Sequence, residues 1–172
     1  FYKTPYDKRR VVVFSEDKSS RPHLIPTLIQ FNRMTGLSII WLTSSIEDSQ
    51  IYFDSPDIHP FYIGDGVLRQ FVINSLSADL LITSTPDFAL FDLKVSPLVK
   101  HCAFLHHSSM SMHTIYNDGA FDAFNSIFCV GPHHVRESME IINVRQLVPK
   151  ELVHYGYPKV DSMRQIANGI DD

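Results

Sequence analysis

The sequence predicts an α/β fold, a doubly wound Rossmann-like parallel sheet. Three observations predict it. Val11–Phe14 is a continuous apolar run, and Leu37–Thr43 and Asp79–Thr83 are short, mainly apolar ones, the length and character of strands buried in a parallel sheet. Segments with apolar residues at three- and four-residue spacing alternate with them, as helices crossing over such a sheet would. Several apolar runs also end abruptly in polar residues, the pattern of strand ends that open onto a ligand-binding edge.

The elements follow in order. Phe1–Arg10 is a polar arm or linker carrying Lys3, Lys8, Arg9 and Arg10, a weak attraction for a membrane surface. Val11–Phe14 is a central strand, and Ser15–Ser20 the loop after it. Ser20 is expected to cap a helix with Pro22 in its first turn, where the missing N–H costs nothing. Leu24, Leu28 and Phe31 line one face, with Ile25 and Ile29 beside them, and Gly36 stops it. Leu37–Thr43 is the next strand, with Trp41 in the core. Ser44–Pro60 reads as irregular and Phe61–Ile63 as a short strand. Gly64-Asp65-Gly66 leads into a helix bearing Val67, Leu68, Phe71, Val72 and Leu76.

Asp79–Thr83 is a strand that ends in Ser84-Thr85-Pro86, and Phe88–Leu93 a helical turn carrying Phe88 and Phe91 into the core. His101–Leu105 is a strand that breaks into a loop rich in His and Ser. Tyr116–Asp122 turns at Gly119. Asn125–Val130 is a strand, and Gly131-Pro132 opens a helix with Val135, Met139 and Ile142 on one face. Glu151–Tyr155 is a last strand, and Pro158 starts a helix bearing Val160, Met163 and Ile166. About seven parallel strands are expected, with Val11–Phe14 and Asp79–Thr83 as central neighbours.

Length fits one domain, 172 residues of which 44% are hydrophobic. The net charge of −4 offers no global attraction to nucleic acid, and no apolar run approaches the length of a membrane span. Cys102 and Cys129 lie inside apolar runs and read as buried free thiols, which suits a reducing cytoplasm. The chain opens on Phe1 rather than Met and closes without a terminal signal. We therefore expect a piece of a longer protein, with an arm over residues 1–10, a domain over 11–157 and the start of an inter-domain helix or linker over 158–172.

Function concentrates at the end of the His101–Leu105 strand. Six of the nine histidines lie between His101 and His134, and imidazole titrates near neutrality, which suits proton transfer. His106, His107 and Ser108 stand where open sheets bind ligands. Ser15 and Glu16 close the first strand, where Glu16 can hold an acceptor hydroxyl or serve as a solvated loop carboxylate. Gly131 and His133 open a helix, either as an anion site or as plain helix initiation. Dinucleotide, P-loop, serine-hydrolase and zinc-protease motifs are absent. A metal set drawn from His106, His107, His113 and His133 is the sharper alternative. It is disfavoured because adjacent strand-end residues face opposite sides and no acidic ligand accompanies them in the loop.

Several of these segments resemble those of the CDP-glycerol glycerophosphotransferases, the teichoic-acid polymerase and primase group with its capsule-making relatives. They are V-F-S-E at Val13–Glu16, T-P-D at Thr85–Asp87, S-P-x-V-K-H at Ser96–His101 and the His loop. G-A-F-D at Gly119–Asp122, G-P-H-H at Gly131–His134 and E-L-V-x-x-G-Y-P-K-x-D at Glu151–Asp161 are the most specific. The resemblance runs from about Val11 to Asp161. It implies the N-terminal, acceptor-side domain of a two-domain B-type glycosyltransferase fold, with CDP-glycerol as donor substrate held by a second domain. No cofactor is implied for this chain. The implied acceptor is a hydroxyl of a lipid-linked or glycan polymer, at the cytoplasmic face of the membrane. Many relatives carry W-H-G-T in the catalytic loop. Leu105-His106-His107-Ser108-Ser109 stands there, so His107 takes the His position and Ser108 the Gly, with His106 as the alternative base. The roles implied are base for His107, acceptor positioning for Ser15, Glu16, Thr85 and Ser108, and cleft lining for Gly131 and His133. Another B-type transferase, a nucleotide-sugar 2-epimerase and a non-catalytic polymer-binding module are the rival readings.

Overall fold

The computed structural model describes residues 5–51, 53, 55–86, 88 and 93–169. Asp87 and Phe91 lie outside the described residues. The strands are β1 (Val11–Ser15), β2 (Ile39–Thr43), β3 (Ile58–Tyr62), β4 (Ala78–Thr83), β5 (Val99–Leu105), β6 (Ser126–Cys129) and β7 (Glu151–His154). They form one seven-stranded sheet in the order β3-β2-β1-β4-β5-β6-β7, and every pair is parallel. The expected doubly wound sheet and the central β1–β4 pair are therefore present. The chain winds outward from β1 to β3, returns to the middle at β4 and winds out the other way to β7. The order reverses between β1 and β4, and crevices open at such points.

Alternation along the strands builds two cores. Val12, Phe14, Ile40, Leu42, Leu81, Cys102 and Phe104 face one side, and Val11, Val13, Ile39, Trp41, Ile82, Ala103 and Leu105 the other. Trp41 is fully buried, edge-on to Phe53, and its indole N–H donates to Ser15 Oγ at 2.9 Å. Both cysteines are free and buried.

The helices are α1 (Arg21–Thr35), α2 (Val67–Asn74), α3 (Met112–Ile115), α4 (Pro132–Val144) and α5 (Pro158–Asn168). α1 buries Leu24 and Leu28 as its spacing predicts, and ends on Gly36 in the left-handed region at φ 64°. Its start differs from the expectation. Ser20 makes no capping bond; Asp17 instead accepts from the Ser19 N–H and caps a short 3-10 turn that runs into α1. Ser20 Oγ pairs with Ser84 Oγ at 3.1 Å.

Three further expectations are corrected. The edge strand β3 begins at Ile58 and contains Pro60, which a strand paired on one side tolerates. Of the residues expected on α2, Val72 and the Leu76 that follows it are buried, together with Ile73, whereas Val67, Leu68 and Phe71 are exposed. α4 buries His134 and Ser138 and leaves Met139 exposed. The short α3 inside the His loop carried no periodicity and was not expected.

Candidate functional site

Parallel pairing lines up the carboxyl ends of β1, β4 and β5. Phe14 sits opposite Thr83, and Thr83 opposite Phe104. The loops that follow enclose a cleft of about 590 Å³, lined by Glu16, Asp17, Ser19, Ser20, Ser84, Thr85, Pro86, His107, Ser108, Ser109, Ile115, Tyr116, Tyr157 and Lys159. Tyr157 and Lys159 reach it because α5 crosses back to pack on α1. The lining is rich in hydroxyls, with two carboxylates, one ammonium and one imidazole.

Strand alternation separates the two neighbouring histidines. His106 points inward and is fully buried, stacked on His134 at 4.1 Å and edge-on to Phe104 at 4.8 Å. Neither of its ring nitrogens has a hydrogen-bond partner among the described residues, and burial pushes its pKa down to about 3. His107 faces the opposite way, into the cleft, with its ring stacked on His23 of α1 at 5.3 Å and 25°. Tyr157 Oη donates to the His107 carbonyl at 3.2 Å. Burial lowers the His107 pKa below the ordinary imidazole value, against opposing effects of the Ser84 backbone and the Asp17 carboxylate.

Glu16 lies in the cleft, ion-paired with Arg69 at 3.2 Å. Partial burial raises its pKa, Arg69 opposes the rise and Asp17 adds to it. The Ser19 hydrogen bond is the main cause holding the Asp17 carboxyl below its usual range. Thr85 and Ser108 also line the cleft, and the Thr85 N–H is anchored to Thr83 Oγ1 at 3.0 Å.

Ser15, Gly131 and His133 do not join this group. Ser15 is fully buried as the last residue of β1, and its hydroxyl is taken by Trp41, so it cannot meet an acceptor. Gly131 and His133 tie the His loop to α4. His133 Nε2–H donates to the Ser109 carbonyl at 3.1 Å, and His134 Nε2–H donates to the Met110 carbonyl at 2.8 Å. A Cβ on Gly131 would lie 3.1 Å from the His133 ring, so the glycine serves a close local approach rather than the cleft. The remaining histidines are spread apart, His113 against Glu140 at 3.2 Å and His101 against Ser126 at 2.9 Å. Among the described residues no three His, Cys, Asp or Glu side chains converge as a metal-ligand set.

Sequence reasoning missed His23, Asp17, Ser19, Tyr157 and Lys159. His23 carries no local signal, since a histidine in a helix's first turn is unremarkable until the fold brings it against His107. Tyr157 and Lys159 stood inside the Y-P-K stretch, where Tyr157-Pro158 reads as a hinge into a following domain or as a helix start. No family model, no curated protein and no solved structure matches the chain.

Proposed function

We propose that this chain is the acceptor-side domain of a transferase that moves glycerol phosphate, or a related polyol phosphate, from CDP-glycerol to an acceptor hydroxyl. The acceptor belongs to a lipid-linked or glycan polymer, reached by peripheral contact with the cytoplasmic face of a membrane. A second domain holds the donor. The motif resemblance supplies the donor and the reaction, and one observation carries the chemistry. An imidazole kept neutral near pH 7 is fixed at the end of a buried strand, in a hydroxyl-rich cleft at the point where the strand order reverses.

An alcohol is a weak nucleophile near neutrality. His107 takes its proton as the oxygen attacks the β-phosphorus, the new P–O bond forms and the bond to CMP breaks. General-base help of this kind contributes about 10²–10⁴ in rate. A base must be unprotonated to act, and the lowered pKa keeps it so. Glu16, Thr85 and Ser108 offer the polar contacts that orient a polyol. No helix among the described residues is long and apolar enough to cross a membrane.

The test is a donor panel of CDP-glycerol, CDP-ribitol and UDP-sugars on the protein together with its donor domain, reading release of CMP or UDP. CDP-glycerol with acceptor should turn over. His107→Gln should cut kcat by about 10²-fold or more with donor affinity nearly unchanged. The acidic limb of the pH–rate profile should lie below about 6.5 and vanish in the variant. UDP-sugar turnover without an acceptor, or full activity in His107→Gln, sinks the reading.

A further inference from the structure

We infer that His23 is a positioning residue for His107, its ring forming the back wall against which the His107 imidazole is held flat. The inference rests on the reading of His107 as the base. The two rings lie 5.3 Å apart at 25°, close to parallel, and come from α1 and the loop after β5, far apart in sequence. His23 is 2% exposed and has no part in the cleft lining, so it does not meet a substrate.

The wall is itself anchored. The His23 carbonyl accepts from Thr27 Oγ1 at 2.6 Å and from Tyr155 Oη at 3.5 Å, and those two hydroxyls pair at 2.9 Å. The first turn of α1 is thereby pinned to the end of β7. His107 also lines the cleft, so the stack on His23 and the hydrogen bond with the Ser84 backbone are what hold its ring there. Displacing a base by a small distance costs up to about 10²-fold in rate, so a rigid wall behind it matters.

The electrostatics agree with the geometry. The titratable groups around His107 are Asp17 from the loop after β1, His23 from α1, and Tyr157 and Lys159 from the start of α5, with its chain neighbour His106 turned to the other side. His23 is itself pushed down to about 3 by burial, then by His107 and Lys159, and so stays neutral while His107 works. A neutral ring excludes water from one face of His107 without adding charge.

The test is an NMR titration of the His107 Cε1–H in the 172-residue chain, assigned by comparison with His107→Gln. In the wild type, ring-to-ring NOEs to His23 are expected and the midpoint should lie below about 6.5. His23→Ala admits water and should move the midpoint up toward that value, while His23→Phe keeps a flat wall and should hold it low. Where the alanine variant does not fold, the wild-type NOEs and the phenylalanine variant decide. In the complete enzyme His23→Ala should lower kcat with KM little changed, and His23→Phe should restore it. Absent NOEs, or a midpoint in His23→Ala equal to that of the wild type, overturn the inference. So does a midpoint in His23→Phe that rises toward the ordinary value. A null result in the donor panel sinks the reaction assignment instead and leaves the titration to be judged alone.

Discussion

His106 is the residue whose environment has the plainest thermodynamic consequence. Its imidazole titrates at an ordinary value near 6.5 when unfolded and is pushed down to about 3 in the folded chain. Between those values the unfolded state holds a proton that the folded state refuses. Stability from this group is complete above about 6.5 and is lost as pH falls, by up to about 1.4 kcal/mol per pH unit. His23 behaves the same way. His106→Phe keeps a flat ring among Phe104, Tyr116 and Phe121 and removes one titrating group. Its melting temperature should fall less steeply than that of the wild type between about pH 7 and pH 4. Equal slopes by calorimetry would show that His106 is not the acid-labile group. At this scale the sequence set Glu16, His106, His107 and Ser108 at strand ends, which are local facts, while the preference for His107 and the role of Thr85 came with the motif resemblance. It could not see that Trp41 takes the Ser15 hydroxyl or that His23 meets His107, because those partners are set by tertiary pairing.

Elements were legible where a local device fixes them. Gly36 ends α1 because it adopts φ 64°, and its N–H returns to the Asn32 carbonyl at 2.8 Å. A Cβ there would meet nothing within 4 Å, so any cost of a side chain is conformational rather than steric. Gly36→Ala should therefore lower stability by about 1 kcal/mol in urea unfolding, with the m-value unchanged. A change within a few tenths would mean that the turn relaxes freely. Where no such device exists, the periodic pattern alone misjudged the buried face. α2 offered Val67, Leu68, Phe71, Val72 and Leu76 at helical spacing, yet only Val72 and Leu76 of these turn inward, beside Ile73. α4 was read from Val135, Met139 and Ile142; Val135 packs against the core, but Met139 is exposed and the side chains buried most deeply are the polar His134 and Ser138, held by Met110 and Met112. A hydropathy pattern cannot rank a satisfied polar group above an exposed methionine.

The whole molecule was the most legible of all, because alternating strands and helices admit few topologies once crossovers are right-handed. Its sheet opens a cleft beside the β1–β4 junction, and the charges there decide what it can hold. Glu16 and Asp17 contribute two carboxylates, with Lys159 as the lone ammonium in the lining. Arg69, the nearest guanidinium to Glu16, is already engaged by it at 3.2 Å. A diphosphate entering this cleft would meet about as much repulsion as attraction, whereas a neutral polyol would find hydroxyls and carboxylates to bind it. Isothermal calorimetry of the 172-residue chain with CDP-glycerol should accordingly give no tight binding. Affinity in the micromolar range, about −8 kcal/mol, would place the donor on this domain and reverse the assignment of its two sides.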